Sequence, residues 1–428
     1  MLYPLTRPLA KIALSIFFRK LYLSGLENLD WNKPIILAAN HPTAFIEPCI
    51  LACWLPKPLH FMVRGDLFLK PVSNWVLRDL NMIPFYRMED AGVAGVKENF
   101  RSVEETVAVL RTLQPVLILA EGHTVHEKRL RPLRKGTARI ALAAQEQHPE
   151  LDIQLVPVGV NYTYADRFRS EVMIHFGTPI PVKDYMNAFK ANAAAGMKEI
   201  TEALRTGLEQ HVVIIREKED EAWTEHLLVQ YRNNRPGSFA PQTLISAERL
   251  TAEKAITERV NALEEPEKGR WKKEVEHYML DLKNNAISDR ALAGNIPFSP
   301  FSILALGLGA PFFALFGAAH FLPLWLAGRI GYGTMVPRHE FKASVALATG
   351  IAAYLLFTLI LFIAAIVMWG WLTALLLLLA FAAGGWFALW YLDLWGKFRM
   401  FFQYRIIPPA AREELKKKRN AIGKFFDL

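Results

Sequence analysis

The chain has 428 residues, of which 52% are hydrophobic, and its formal net charge is +9 at neutral pH. This length suggests about two or three folded units, each long enough to bury a core. No helix-turn-helix, zinc-finger or RNA-binding pattern accompanies the positive charge, and basic residues flank apolar segments instead, so we expect anionic lipid or an anionic substrate rather than nucleic acid.

Residues 1–26 are predicted to be an amphipathic, membrane-proximal segment. Their apolar residues are interrupted by Arg7, Lys11, Arg19 and Lys20. This pattern suits a helix lying at a membrane surface, and equally a helix packed on the next domain. No small-residue cleavage site follows a clean apolar stretch, so we do not interpret the segment as a signal peptide.

Residues 27–183 alternate between short apolar runs and helical patterns. The alternation predicts an α/β fold, a mixed sheet covered by helices. We expect strands at residues 34–40, 60–64, 82–86, 116–120, 153–162 and 171–176, and helices at 46–55, 93–113 and 136–147.

The rest of the chain differs in composition. Residues 184–296 are charged and helical in pattern, with no catalytic constellation, and residues 297–395 contain three apolar segments at 301–326, 343–367 and 372–391. The second and third are long enough to span ~30 Å of hydrocarbon. Residues 396–428 form a basic tail.

The basic residues predict the topology. The loop 329–342 and the tail are both basic, so we expect both to be cytoplasmic, with the catalytic domain on the same face. The second and third segments then form a hairpin, and the first, interrupted by Pro311, His320 and Pro323, is re-entrant or interfacial. Three full spans are the alternative.

A histidine and a carboxylate follow the first predicted strand. His41 comes directly after the strand, and Glu47 follows a few residues later. An imidazole can accept the proton of an attacking hydroxyl, and a nearby carboxylate can orient the ring and stabilise the imidazolium. Taken alone, the two residues favour a simpler interpretation, a His that caps the strand end and an exposed Glu.

A second group of polar residues follows the strand at 116–120. Glu121 and Gly122 end that strand, and the cations Arg129, Arg131, Arg134 and Lys135 lead into the next helix. A glycine turn and cations before a helix suit a phosphate, whereas the alternative is a solvated charged loop. Because ligands sit at the carboxyl ends of strands, we expect both groups to share one cleft.

Four blocks of sequence occur in a specific order: residues 40–48, residues 61–68 with 82–87, residues 119–138, and residues 155–162. In this order they resemble the PlsC-type glycerolipid acyltransferase family, over residues 19–181. The resemblance implies an acyl-CoA or acyl-carrier-protein donor, a glycerol-3-phosphate or 1-acylglycerol-3-phosphate acceptor, a membrane lipid product, and no cofactor or metal.

The resemblance also implies site residues. His41 would be the general base and Glu47 its partner. Arg64 and Arg87 would lie on the donor or phosphate side. The acceptor phosphate would be bound near Glu121, Gly122, Arg129, Arg131, Arg134 and Lys135.

The sequence departs from the family pattern in its catalytic motif and in its glycine block. Five residues separate His41 from its carboxylate where four are usual, and the carboxylate is Glu47 rather than Asp. The usual Phe-Pro-Glu-Gly-Thr-Arg is Leu-Ala-Glu-Gly-His-Thr, so the phosphate-binding Arg is absent from its usual place. A lysophospholipid or aminolipid O-acyltransferase, or a catalytically inactive lipid-binding homologue, are therefore the alternative interpretations.

The cysteines Cys49 and Cys53 are interpreted as small buried residues of a reducing compartment, because no clustered histidines accompany them.

Overall fold

The computed structural model describes residues 1–86, 99–235, 237–294 and 298–426. The chain forms two compact units. The first contains Met1–Ile214, Pro241–Thr251 and Arg338–Ser344, and the second contains Ile215–Ala240, Ala252–Pro337 and Val345–Leu428.

Within the described residues, the first unit is built on one sheet of nine strands. The strands are β1 (Phe18–Ser24), β2 (Ile35–Ala39), β3 (His60–Arg64), β4 (Met82–Phe85), β5 (Val116–Leu119), β6 (Gln154–Tyr162), β7 (Ser170–Phe176), β8 (Ile180–Pro181) and β9 (Gln242–Ile245). Their order in the sheet is β4-β3-β5-β2-β6-β7-β1-β9, with β8 beside β6, and the β6 pairings with β7 and β8 are antiparallel.

Helices cover this sheet. Alternate residues of β2 and β5 pack in one apolar core with Val103, Ile140 and Leu204 of the covering helices; these strand residues are Ile36, Ala38, Val116 and Ile118. The strands β2 and β5 are apolar at every position, as expected of parallel strands buried on both faces. The helices are α1 (Leu2–Phe17), α2 (Ile46–Trp54), α3 (Pro71–Asp79), α4 (Asn99–Arg111), α5 (Gly136–Gln147), α6 (Met186–Ala191) and α7 (Ala193–Glu209).

The predicted α/β fold is confirmed, but the first unit extends beyond residues 27–183 at both ends. Strand β1 lies inside the segment predicted to be amphipathic. Phe18, Leu21 and Leu23 of this strand are buried, whereas Arg19 and Lys20 interrupt its apolar run and produce the amphipathic pattern. Strand β9 lies inside the region predicted to be helical and pairs with β1. Helix α7 packs into the core of the sheet, although its sequence lies in the same charged region.

The second unit is helical. Its helices are α8 (Glu221–Asn233), α9 (Glu248–Ala262), α10 (Glu267–Asn284), α11 (Asp289–Leu292), α12 (Pro300–Gly331), α13 (His339–Trp369), α14 (Trp371–Ile406) and α15 (Pro409–Gly423), where α9 and α13 begin in segments of the first unit.

The C-terminal helix α15 is part of the core of the second unit. Phe425, just beyond α15, is fully buried with Trp223 of α8 and Trp271 of α10. The guanidinium of Arg419 donates to Asp289 of α11 at 2.9 Å. The basic tail is therefore packed against helices that precede the apolar segments.

Three helices, α12, α13 and α14, are 32, 31 and 36 residues long and apolar enough to cross a membrane. Helix α12 continues through Pro311 and Pro323, so the first apolar segment is as long as the other two. It contacts α14 first, through the Tyr391 hydroxyl that donates to the Leu306 carbonyl, and then α13, where Gly331 packs on Ala346.

Candidate active site

Two polar turns meet at the carboxyl ends of adjacent parallel strands. Strand β2 pairs with β5, so Asn40-His41 and residues 121–124 emerge side by side from the same edge of the sheet. The side chain of Asn40 extends β2 towards β6, since its amide donates to the Val160 carbonyl at 2.9 Å and its oxygen accepts the Val160 N–H at 2.7 Å. The structure therefore brings the two predicted groups together.

The imidazole of His41 lies between a carboxylate and a hydroxyl. Its Nδ1 is 3.9 Å from Oε2 of Glu47, and its Nε2 is 2.9 Å from Oγ1 of Thr124. The first distance allows electrostatic attraction but exceeds a hydrogen bond, whereas the second is a hydrogen bond. Because the ring is largely buried, its two nitrogens have distinct and fixed neighbours.

Glu47 is held in place by the turn that precedes it. The carboxylate lies in the first turn of α2 and is fully buried. Thr43 donates to it twice, from its backbone N–H to Oε1 and from its hydroxyl to Oε2 at 2.7 Å. Burial raises the pKa of Glu47 to about 8, although the hydrogen bonds from Thr43 act in the opposite direction.

Glu121 connects the two turns through their backbones. Its carboxylate accepts the His41 N–H at 2.7 Å and the Arg131 N–H at 2.8 Å. Burial raises its pKa, while these two hydrogen bonds lower it. In the described contacts Glu121 therefore acts by fixing the His41 turn and the start of the basic segment.

Gly122 has a backbone conformation that other residues rarely adopt. Its φ is +69°, and a Cβ at this position would come 2.9 Å from Cγ of Arg134. The guanidinium of Arg134 in turn donates to Nε2 of His123 at 2.8 Å. The glycine lets the basic segment fold back over the turn that carries Thr124.

The other predicted cations are distributed around this turn. Arg129 and Arg131 are half-buried, and Arg134 and Lys135 are exposed next to the N-terminus of α5, where Lys135 is the N-cap residue. Cations and a helix N-terminus together can bind an anion.

Arg64 lies at the end of β3, two strands away from β2, which corresponds to about 10 Å. Its guanidinium donates to both carboxylate oxygens of Asp66, at 3.0 and 2.7 Å. Arg87 lies outside the described residues.

Sequence reasoning missed Thr43 and Thr124 as site residues. Both are ordinary loop threonines in the sequence, and their roles depend on the contacts with Glu47 and His41. The one available signal for Thr124 was its position two residues after Gly122, where the family pattern has Arg. Neither cysteine is activated, since burial raises the pKa of Cys49 to about 12 and of Cys53 to about 11.

Residues 20–161 match the family model described as Acyltransferase. This stretch contains both turns and the basic segment.

Two curated proteins illustrate the similarity. A glycerol-3-phosphate O-acyltransferase of Saccharomyces cerevisiae is 31% identical over 99 residues, which are 22% of this chain and 13% of that protein. A chloroplastic 1-acyl-sn-glycerol-3-phosphate acyltransferase of Arabidopsis thaliana is 24% identical over 131 residues, which are 30% of this chain and 35% of that protein. The similarity thus covers only 13% and 35% of the length of these relatives.

Among solved structures, the 1-acyl-sn-glycerophosphate acyltransferase PlsC of Thermotoga maritima aligns with 49% of this chain and 78% of its own. The sequence identity is 18% and the TM-score is 0.36.

Proposed function

We propose that the protein transfers a fatty acyl group from a thioester donor to a hydroxyl of a glycerol-phosphate lipid precursor, because residues 20–161 match the acyltransferase family model. The observation that carries this proposal is the position of His41, with Glu47 near one ring nitrogen and a hydroxyl hydrogen-bonded to the other. This is the arrangement that a general base needs towards an alcohol.

The proposed mechanism is a direct transfer. The acceptor hydroxyl approaches Nε2 of His41 beside Thr124, donates a hydrogen bond to this nitrogen and attacks the thioester carbonyl. Its proton passes to Nε2 as the new C–O bond forms, and the C–S bond then breaks. The thiolate leaves with the proton that His41 returns, and Glu47 stabilises the transient imidazolium.

We propose acyl-CoA or acyl-carrier protein as the donor and glycerol-3-phosphate or 1-acylglycerol-3-phosphate as the acceptor. The two relatives named above are acyltransferases of these two acceptors. Arg129, Arg131, Arg134 and Lys135 supply the positive charge for the acceptor phosphate, together with the N-terminus of α5. This chemistry needs no resident cofactor and no metal.

A lysophospholipid or aminolipid acceptor is the second candidate. The observation in its favour is that Thr124, in direct contact with His41, stands where the family pattern has a phosphate-binding Arg.

We also propose that the protein is an integral membrane enzyme with its catalytic domain on the cytoplasmic face. The support is the length of α12, α13 and α14 and the basic character of residues 329–342 and of the tail.

The full chain in lipid nanodiscs, offered labelled acyl-CoA or acyl-carrier protein with each acceptor, tests the proposal. We expect acyl transfer to at least one glycerol-phosphate acceptor. His41→Ala should lower kcat by about 10²–10⁴-fold, the usual contribution of a general base.

The matched control is His148→Ala, since His148 is half-buried beside Glu150 and distant in sequence from both turns. It should leave kcat unchanged. Absence of transfer to every acceptor, or full activity of His41→Ala, would refute the proposal, whereas transfer to a lysophospholipid or aminolipid alone would favour the second candidate.

A further inference from the structure

Helix α1 carries apolar side chains on two opposite faces. Tyr3, Leu14 and Phe17 are buried in the first unit. A second set is exposed, with Leu5 66% exposed, and at 3.6 residues per turn its members fall within an arc of about 60°. This set is Leu5, Leu9, Ile12 and Ile16. A helix that only packs on its domain needs a single apolar stripe, so the second stripe needs another partner.

A second exposed apolar set follows β3. The turn Gly65–Phe68 and helix α3 present Leu67, Leu69, Val72 and Trp75 to solvent. Val72 is 74% exposed and Trp75 is 62% exposed. Large side chains of this kind in one short segment are unusual on a free protein surface.

The two sets are neighbours. Asp79, the last residue of α3, accepts the backbone N–H of Leu2 at the start of α1. We call the eight exposed side chains of the two sets the apolar face.

Basic residues border the apolar face. Lys11, Lys70 and Arg78 are exposed, and the Lys11 ammonium lies 5.3 Å from the centre of the Trp54 ring. The carboxylates beside the face are paired with cations, since Asp66 pairs with Arg64, Asp79 with the N-terminal ammonium and Glu105 with Arg78. Among the described residues Lys11 and Lys70 therefore give the border of the face a net positive charge.

We propose that the apolar face is an interfacial membrane-binding surface, which enters the headgroup and upper acyl region of an anionic phospholipid leaflet. Apolar side chains bordered by lysine and arginine are the signature of an element that lies in this interface. The same chain carries three helices of membrane length, so a bilayer is the large apolar partner within its reach. The first unit thus has its own contact with lipid, separate from those helices.

The test measures lipid contact residue by residue in the full chain. A fluorophore is attached at Leu9→Cys, at Val72→Cys and, as control, at Asn74→Cys in nanodiscs containing phosphatidylglycerol. Asn74 is exposed on α3 but about 160° around the helix from Val72. The unmodified protein, labelled in parallel, gives the background from Cys49 and Cys53.

With bromine on the acyl chains, we expect the emission at Leu9 and Val72 to fall by about half or more and the emission at Asn74 to change little. Replacing phosphatidylglycerol by phosphatidylcholine, or combining Lys11→Glu with Lys70→Glu, should reduce the quenching at Val72 about twofold or more.

Equal quenching at all three positions, or none at Leu9 and Val72, would overturn the proposal. A face covered by a second copy of the chain would give the latter result, because its labels would be shielded from lipid. All substituted positions are exposed, so these variants leave the core of the unit intact.

Discussion

At the scale of single residues, the site depends on how His41 is held. A neutral imidazole has one N–H and one lone pair, and their assignment decides which nitrogen can act as a base. Because Glu47 faces Nδ1, we assign the ring hydrogen to Nδ1 and the lone pair to Nε2, where the Thr124 hydroxyl then donates. Thr124 therefore supports the tautomer that general-base catalysis at Nε2 requires.

This role predicts a loss of activity in Thr124→Val, which keeps the shape of the side chain and removes the donor. One lost hydrogen bond of about 1–1.5 kcal/mol corresponds to roughly a tenfold lower kcat. Thr124→Ser keeps the hydroxyl and should retain most of the activity. Steady-state kinetics of both variants decides the matter, and a fully active Val variant would contradict the role.

The pH dependence follows from Glu47. Its pKa is raised to about 8, so the carboxylate that supports the imidazolium ionises only as the pH rises through that value. Activity should therefore increase towards about pH 8. The stability moves the other way, because a raised folded-state pKa gives a contribution that is complete below the ordinary pKa of about 4.5 and is lost as the pH rises through about 8.

Melting temperatures and kcat/KM between about pH 6 and about pH 9 measure both trends. In Glu47→Gln, which cannot ionise, the fall in melting temperature with pH should be smaller than in the unmodified chain. An identical pH dependence of melting in the two proteins would assign the trend to another group.

At the scale of elements, each site residue is carried by a turn at the end of a strand. The buried strands β2 and β5 were predictable, because continuous apolar runs bounded by polar residues define them. The contact between Thr124 and His41 was not, because it joins residues 83 positions apart and arises only from the neighbouring positions of β2 and β5.

The turn after β5 offers a test at this scale. Gly122→Ala places a side chain at φ +69° and against Arg134, so it should lower the free energy of unfolding by about 1–2 kcal/mol and displace Thr124. The melting temperature and kcat should therefore both be lower in this variant. Gly307→Ala is the control, since no atom lies within 4 Å of the added methyl group. Equal effects of the two substitutions would argue against a special role of the turn.

At the scale of the whole molecule, the sequence predicted the α/β unit and the apolar segments but misplaced the limits of the unit. Strand β1 was not predicted because Arg19 and Lys20, which are half-buried, interrupt its apolar run. Strand β9 is four residues long and largely exposed, so its pattern is weak, and its pairing with β1 depends on tertiary structure.

The membrane topology can be tested by the accessibility of introduced cysteines to a labelling reagent. Single cysteines on the tail, at Lys417, and in the charged helical region, at Lys272, should react alike with a membrane-impermeant reagent in sealed vesicles. Both should be labelled or both protected, according to the orientation of the vesicle. Opposite accessibility of the two sites would contradict the packing of α15 against α10 and α11.

The packing of α15 bears on whether the number of membrane crossings is even or odd. Residues on either side of the three long helices share one core, through Phe425 with Trp271 and Arg419 with Asp289. If the chain crosses a membrane, both sides of these helices must therefore lie in the same compartment. For the proposed membrane enzyme we therefore expect an even number of complete crossings between Leu292 and Pro409, rather than three.

The contacts of α12 agree with this count. Leu306 of α12 contacts Tyr391 of α14, and His320 contacts Phe381, which is closer in sequence to Gly370, the link between α13 and α14. His320 also contacts Tyr354 of α13, whereas Gly331, at the end of α12, contacts Ala346, which is farther from that link. Helix α12 therefore first runs towards the Gly370 link and then away from it. In the proposed membrane enzyme we therefore expect α13 and α14 to make the two crossings and α12 to stay within one leaflet.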